Sequence, residues 1–403
     1  VAKDYLLKYL NQNNKFPEGR YYYFLGNIYF NEQDYSNAIK YYELANYPEE
    51  SEKLIYSLAC SYYKTKEYDK SLTTFQKISE KSKLYIAALK SIINIYEIKE
   101  DYKNAFNNSL KLLQYEDKSE NNEKTGDFAY KLNDYKNAEF YYLKILKERK
   151  SPNISLKLGN VYYQINNSDS ALIYYLEAFK GNKENIELAN RIGKIYLDKG
   201  DTINAITYFQ EGILQKPSDY KVYLYLAELW KSINNPVQAI ANYKKYLEND
   251  SSNISLYKTI GDEYFSIRRY DRAIENYLIY LKTGQVDENI YYNLAYSYKN
   301  NDEIDNAINY LNKAITLNKN HKNSYQLLAT IYYELGEKAY NQKQYDNAIN
   351  NFIKSNQNEA NYEHSNFYLA KIYFGKNDLN KAKEYIEEYL KKSNYELSAL
   401  LFA

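Results

Sequence analysis

Residues 191–217 read RIGKIYLDKGDTINAITYFQEGILQKP. Ile192, Gly193 and Tyr196 stand three and four positions apart and so share one face of a helix. Gly193 carries almost no side chain, so a second helix can approach its backbone closely. Lys199-Gly200-Asp201 interrupts the pattern. Gly200 suits a left-handed or turn conformation, and Asp201 can help start the next helix. Ala205 and Phe209, four apart, form the facing stripe, with Ala205 opposite Gly193 and Phe209 beside it. Pro217 ends the second helix, because it cannot supply the backbone N–H that a helix interior needs. The stretch predicts a helical hairpin closed along one apolar seam.

The same hairpin recurs on both sides. The small residue of the second helix is Ala38, Ser71, Ala105, Ala138, Ala171, Ala205, Ala239, Ala273, Ala307, Ala348 and Ala382. The steps are 33 or 34 residues, with one of 41 before Ala348. Twelve residues earlier stands the first-helix contact: Gly26, Ala59, Ile93, Gly126, Gly159, Gly193, Ala227, Gly261, Ala295, Gly336 or Ala370. The length variation therefore falls between hairpins, where a tandem array absorbs it without disturbing the seam.

This pattern of Ile192-Gly193, Tyr196, Ala205, Phe209 and Pro217 resembles the tetratricopeptide repeat. About eleven such units cover residues 18–396, nearly the whole chain. The resemblance implies an all-α fold, a right-handed α-solenoid of tandem helix-turn-helix hairpins. The 3.6-residue period throughout predicts about 22 to 24 helices and no sheet. Residues 1–17 are expected to be a partial repeat or N-terminal capping helix, with Tyr5, Leu6, Tyr9 and Leu10 as its apolar stripe and Phe16-Pro17 as its stop. Residues 397–403 (LSALLFA) look like the start of a further helix, the edge of a longer array or a docking element.

Three units deviate. Ile92-Ile93 in repeat three is bulky where a small residue is usual, so that hairpin is expected to open slightly. Repeat four has Ala129 where a tyrosine is usual and should have a thinner seam. Repeat ten carries seven extra residues, close to two helical turns, which turn its face by only about 20°. A long, protruding helix from about residue 324 to 341 is expected there.

The formal charge of +1 offers no global field for nucleic acid or anionic membrane. No stretch approaches the 18 or so apolar residues of a membrane span. No signal-peptide pattern occupies residues 1–20, and with no Met in the chain Val1 is not expected to be a native start. The single Cys excludes an internal disulfide and leaves the compartment open. The abundance of Tyr, Asn, Lys and Ile reads first as AT-rich codon bias.

The resemblance further implies that first helices line a concave groove whose ligands are usually peptides. On the expected inner stripe lie Asn27, Asn94 and Asn160, each just after the small contact. An amide offers donors and an acceptor suited to a peptide backbone, although an Asn-rich composition also accounts for them. The same stripe carries Lys90, Lys124, Lys157, Asn190, Arg191 and Lys194. Relatives that clamp a C-terminal carboxylate use Lys and Asn in a related arrangement. Lys90 and Asn94 match that pattern, while Lys124 and Asn153 stand where Asn and Lys would be needed, and Lys157 where Arg is usual. A more general anionic or peptide groove fits better. The alternative is a solvated face offset by Glu123 and Asp127. Tyr292 and Tyr296 in repeat nine, and Phe367 and Tyr368 in repeat eleven, could anchor an apolar side chain. The aromatic pairs Tyr41-Tyr42, Tyr141-Tyr142, Tyr174-Tyr175 and Tyr208-Phe209 are expected to fill the seam, one ring of each more exposed; Trp230 is expected in the core as well.

Catalysis finds little support, and nothing singles out an acid pair among the many carboxylates. His321 and His364 are the only histidines, and no catalytic Cys-His pairing, HExxH, CxxC, P-loop or Rossmann glycine pattern occurs. No cofactor or metal is implied. The expected role is a non-enzymatic scaffold that binds partner proteins or peptide segments and helps assemble a multiprotein complex. The competing readings are a helical-repeat RNA binder, which the near-neutral charge disfavours, and a structural spacer of a larger protein.

Overall fold

The computed structural model describes residues 2–12, 19–45, 51–213, 220–359, 362 and 364–392. Among the described residues stand 23 helices and no strand. The chain divides into two compact units, Val1–Asp201 and Thr202–Ala403. The division falls in the turn of repeat six, between helices Ile186–Asp198 and Thr202–Ile213. The first unit contains the hairpins Gly19–Asn31 with Tyr35–Leu44, Ser51–Lys64 with Tyr68–Phe75, Tyr85–Ile98 with Tyr102–Tyr115, Ser119–Lys131 with Tyr135–Glu148, and Pro152–Gln164 with Ser168–Gly181. The second contains Lys221–Ser232 with Pro236–Asn249, Ser255–Ser266 with Tyr270–Leu281, Glu288–Asn300 with Ile304–Leu317, Lys322–Asn341 with Tyr345–Asn358, and Ser365–Gly375 with Leu379–Lys392.

Helix Ala2–Gln12 precedes the first hairpin. Leu6 and Leu10 pack on its core around Tyr23, Ala38 and Tyr42, and Tyr9 touches the Tyr21 ring at 4.8 Å between centroids. Tyr5, expected on the same apolar stripe, is instead 71% exposed. Phe16-Pro17, Pro217 and residues 397–403 lie outside the described residues.

The turn inside each hairpin has one backbone conformation, whatever its residues. Seven residues after the small first-helix contact the backbone enters the left-handed region, at Gly200 (φ 74°) and at non-glycines such as Asn133 (60°) and Arg268 (59°). The next residue returns its N–H to the carbonyl five back, as Asp134 does to Ala129 at 2.9 Å, which satisfies a helix-end carbonyl. That residue then caps the second helix. The Asp34, Asp101 and Asp134 carboxylates accept from the backbone N–H three residues on, at 3.1–3.2 Å.

The seam explains the glycines. A Cβ added at Gly159 would stand 2.5 Å from the Tyr175 ring, and one at Gly126 would stand 2.7 Å from the Tyr142 ring. Carbon atoms prefer about 3.5–4.0 Å, so these rings lie where only glycine leaves space. Where an aromatic ring fills the seam it stands sixteen residues after the small contact and is buried, as are Tyr42, Phe75, Tyr142, Tyr175, Phe209, Tyr243, Tyr277 and Phe352, while Ser109, Leu311 and Ile386 take that position in repeats three, nine and eleven. Burying each contributes about 1.5–3 kcal/mol. Its neighbour in sequence forms a second ladder. Tyr41 stacks on Tyr29 at 5.2 Å, Tyr174 on Tyr162 at 5.5 Å, and Tyr310 on Tyr298 at 5.5 Å. The tyrosine-rich composition therefore builds both layers of the seam, as well as reflecting any codon bias. Trp230 packs against the Ala227–Tyr243 core.

Repeat three accommodates Ile93 by exchange of volume. The residue sixteen on is Ser109, not an aromatic, and both are buried at 3% and 2% exposure. The expected opening of this hairpin gives way to a swap in which bulk moves from the second helix to the first. In repeat four Ala129 is fully buried in a core with Tyr142, Ile145 and Leu158. The long helix of repeat ten runs Lys322–Asn341. Its first turns do not protrude. Leu327, Leu328 and Ile331 sit in the core of the preceding hairpin with Leu294 and Leu311, and Ala339 joins that of the next with Phe352 and Leu369.

Candidate functional site

Because each helix repeats its register, residues just after the small contact line up along the first-helix face of the first unit, together with residues two before it in the next repeat. These are the expected stripe positions, and the structure brings most of them together. Asn94 Oδ1 accepts from Lys124 Nζ at 3.0 Å. Asp127 accepts from Lys157 Nζ through both carboxylate oxygens at 2.7 Å. Asn160 Oδ1 accepts from Arg191 Nη1 at 3.0 Å. Three successive repeats thus pair an acceptor with a cation from the next repeat.

A phenol completes the second and third of these pairs. The Tyr142 hydroxyl donates to Asp127 Oδ1 at 2.7 Å, and that of Tyr175 donates to Asn160 Oδ1 at 2.8 Å. Repeat one shows the acceptor-phenol half alone, with Tyr42 donating to Asn27 Oδ1 at 2.7 Å. In the second unit Tyr243 donates to Glu228 and Tyr277 to Asp262, both at 2.7 Å. Burial raises the Tyr175 phenol above its ordinary pKa and, with the carboxylates beside them, pushes Tyr142 and Tyr277 well above it, so all three stay protonated donors. Asn27 and Asn160, expected to present their amide oxygens to a ligand, thus already use them within the seam. The constant offset of fifteen residues between acceptor and tyrosine is legible in the sequence and was the signal that could have assigned them.

The cations are compensated. Lys90 pairs with Glu116 at 2.7 Å, Lys124 reaches Glu97 at 3.3 Å, Lys157 also binds Glu123 at 2.8 Å, and Arg191 binds Glu187 at 2.7 Å. Burial alone would lower the Lys157 pKa, but its bonds to Asp127 and Glu123 outweigh that and hold it above the ordinary value. Such partly exposed pairs contribute about 0–1 kcal/mol each. The offset by Glu123 and Asp127 weighed for this patch is therefore present in the structure. Lys194 is exposed. Asn190 Oδ1 is buried with no protein hydrogen-bond partner.

Two openings lie on this face. The larger, about 380 Å³, is lined by Tyr102, Asp127, Tyr130, Lys131, Lys157 and Asn160, among others. It exists because Glu97 replaces the ring that elsewhere packs edge-on against the first tyrosine of the second helix, as Tyr130 does on Tyr135 at 5.7 Å. The smaller, about 130 Å³, is lined by Ile93, Ser109 and Leu112 together with Lys90, Asn94, Glu120, Asn121 and Lys124. Tyr292 and Tyr296 belong to the second unit, separate from this set. Tyr292 lies 5.6 Å from the His321 ring, and Tyr296 lies 5.5 Å from that of Phe265. Phe367 and Tyr368 are likewise engaged, the latter stacked on Phe352 at 5.0 Å. Among the described residues no cluster of His, Cys, Asp and Glu could hold a metal ion, and no helix is long and apolar enough to cross a membrane.

A family model described as tetratricopeptide repeat matches residues 19–47, 186–219, 288–321 and 364–391, and a second of the same description matches 54–82. With the hairpins above, these matches identify the chain as a tetratricopeptide repeat protein, a class whose members bind protein or peptide partners and serve as interaction scaffolds. No curated protein matches the chain. Among solved structures it is similar to YrrB, described as a TPR protein with an unusual peptide-binding site, at 23% identity over 48% of this chain and 96% of that one, TM-score 0.32. It is also similar to a tetratricopeptide repeat protein from Parabacteroides merdae, at 18% identity over 64% and 98%, TM-score 0.34. A third likeness, to the Naa15/Naa10 assembly bound to HypK-THB, spans 98% of this chain and 66% of that one at 13% identity, TM-score 0.46.

Proposed function

We propose that the first-helix face of repeats three to five binds an extended segment of a partner protein, and that the array helps assemble a multiprotein complex through it. The observation that carries this reading is the opening of about 380 Å³ on that face, where aromatic walls meet polar groups. Tyr102 and Tyr130 offer apolar surface to a side chain, while the Asn160 amide N–H groups and the remaining lone pairs of the Asp127 carboxylate offer hydrogen bonds to a backbone. Because the cations are balanced by carboxylates, the reading favours a peptide held by shape and hydrogen bonds over one chosen for net acidity. An acidic or C-terminal segment would have to displace Glu123 or Glu187 from its cation.

The test is selection from a random peptide library on the intact chain, followed by titration of the selected peptides against a Tyr102→Ala, Tyr130→Ala variant. Loss of affinity of about tenfold or more is expected, since two aromatic walls are removed. Equal affinity in the variant would place the binding surface elsewhere. Added salt separates the two chemistries, because charge pairing weakens steeply with ionic strength and apolar contact does not.

A further inference from the structure

Repeats three, four and five share a three-part arrangement, and one part is missing once. Asp127 with Lys157, and Asn160 with Arg191, each hold a phenol from sixteen residues after their own small contact. Asn94 with Lys124 holds none, because that position is Ser109. Ser109 turns its hydroxyl to the Phe106 carbonyl at 2.7 Å and leaves the space beside Asn94 open. That space is the opening of about 130 Å³. Its size is on the order of the roughly 150 Å³ apolar cavity known to admit benzene. Its lining is mixed, with Ile93 and Leu112 supplying apolar surface beside Ser109, Glu120 and Asn121, and at its edge stands Asn94, whose counterparts Asp127 and Asn160 receive a phenol one and two repeats further on.

We propose that this opening takes a tyrosine side chain from the partner segment, whose ring rests on Ile93 and Leu112 and whose hydroxyl donates to Asn94 Oδ1 beside Lys124. The proposal rests on the reading of this face as a peptide-binding surface and adds the residue that the surface selects. A carbonyl oxygen has two lone pairs, so Asn94 can accept from Lys124 and a phenol at once, as Asn160 does from Arg191 and Tyr175. The hydroxyl separates tyrosine from phenylalanine, and the volume of about 130 Å³ separates it from the bulkier tryptophan. Lys90, also in the lining, is held by Glu116 at 2.7 Å.

Two probes test it. The first is p-cresol, the tyrosine side chain alone, compared with toluene by saturation-transfer NMR on the intact chain. The second is the pool of library-selected peptides, with each tyrosine changed to phenylalanine or leucine. Three protein variants accompany them. Ile93→Gly with Ser109→Tyr rebuilds the seam of the neighbouring repeats and fills the opening from within. Ser109→Leu plugs it with Ile93 retained, should the rebuilt seam fail to fold. Asn94→Leu keeps the opening and removes the acceptor. The expected results are p-cresol binding that exceeds toluene, enrichment of tyrosine among the peptides, and about a tenfold loss for the phenylalanine versions. Filling the opening abolishes p-cresol binding, and Asn94→Leu removes the preference over toluene. If peptides bind this face but tolerate leucine for tyrosine, or bind the filled variants equally, the tyrosine assignment falls while the peptide reading stands. If no peptide binds yet p-cresol binds as described, the peptide reading falls and the phenol site stands.

Discussion

Gly159 and Tyr175 offer the sharpest probe of how each hairpin closes. A Cβ at residue 159 would approach the Tyr175 ring to 2.5 Å, against the roughly 3.5 Å that carbon contact tolerates. The ring has 0% exposure and its hydroxyl is held by Asn160, so it has little freedom to retreat. Gly159→Ile should therefore cost about 1–3 kcal/mol by overpacking, reduced by roughly half a kcal/mol because glycine is a poor helix former. Tyr175→Ser should cost about 3–5 kcal/mol, the range for emptying a large aromatic site. Combined, the two recreate the Ile93 and Ser109 arrangement of repeat three, in which bulk has moved from one helix to the other. The double variant is expected to lose about 2 kcal/mol less than the sum of the singles, within the usual range for residues in contact. Hydrogen exchange at the amides of repeat five is the suitable assay, since stability in a repeat array is local. Additivity within about 0.5 kcal/mol would refute the claim that the two positions share one volume.

Three further outcomes follow from particular residues. A Cβ at Gly200 would meet nothing within 4 Å, yet φ is 74°, so Gly200→Ala should cost about 1–2 kcal/mol from backbone conformation alone, and Arg268→Gly in repeat eight should stabilise in urea unfolding. The cap bonds from Asn37 and Asn104 hold the Asp34 and Asp101 carboxyls below their ordinary pKa. Their contribution is complete above the unfolded value of 3.8 and is lost as pH falls through the lower folded value. Asn at both sites keeps the cap without the charge and should flatten the urea midpoint over that acid range; an unchanged slope counts against it. Burial pushes the Cys60 thiol up to about 11, so thiol labelling near neutral pH should be slow until urea opens repeat two, and fast labelling of the native chain would contradict that burial.

The hairpin, its turn and its period were legible because each depends on one residue type at one offset. Small residues twelve apart, such as Gly159 and Ala171, marked where helices approach, and Gly200 marked the left-handed turn that non-glycines adopt in the other repeats. The volume swap at Ile93 was not legible while the first helix was read alone; it needed Ser109 read beside it. Along the candidate face, Asn94, Lys124, Lys157 and Arg191 lie together, and the Glu123 and Asp127 offset was readable from the sequence, but the other partners were not. Glu116 reaches Lys90 and Glu187 reaches Arg191 from outside the inner stripe, and the phenols of Tyr142 and Tyr175 come from the second helix. A stripe drawn on one helix cannot show groups that arrive from another. The protruding helix of repeat ten failed for the same reason, since its extra turns found a core in the preceding hairpin.

The central claim is that a partner segment lies on the first-helix face of repeats three to five. Hydrogen exchange of the intact chain, with and without a library-selected peptide at saturation, tests it directly. Protection is expected in Tyr85–Ile98, Ser119–Lys131 and Pro152–Gln164, with the second helices of the same repeats unchanged at their outer turns. Protection confined to second helices, or to residues beyond 202, would contradict it.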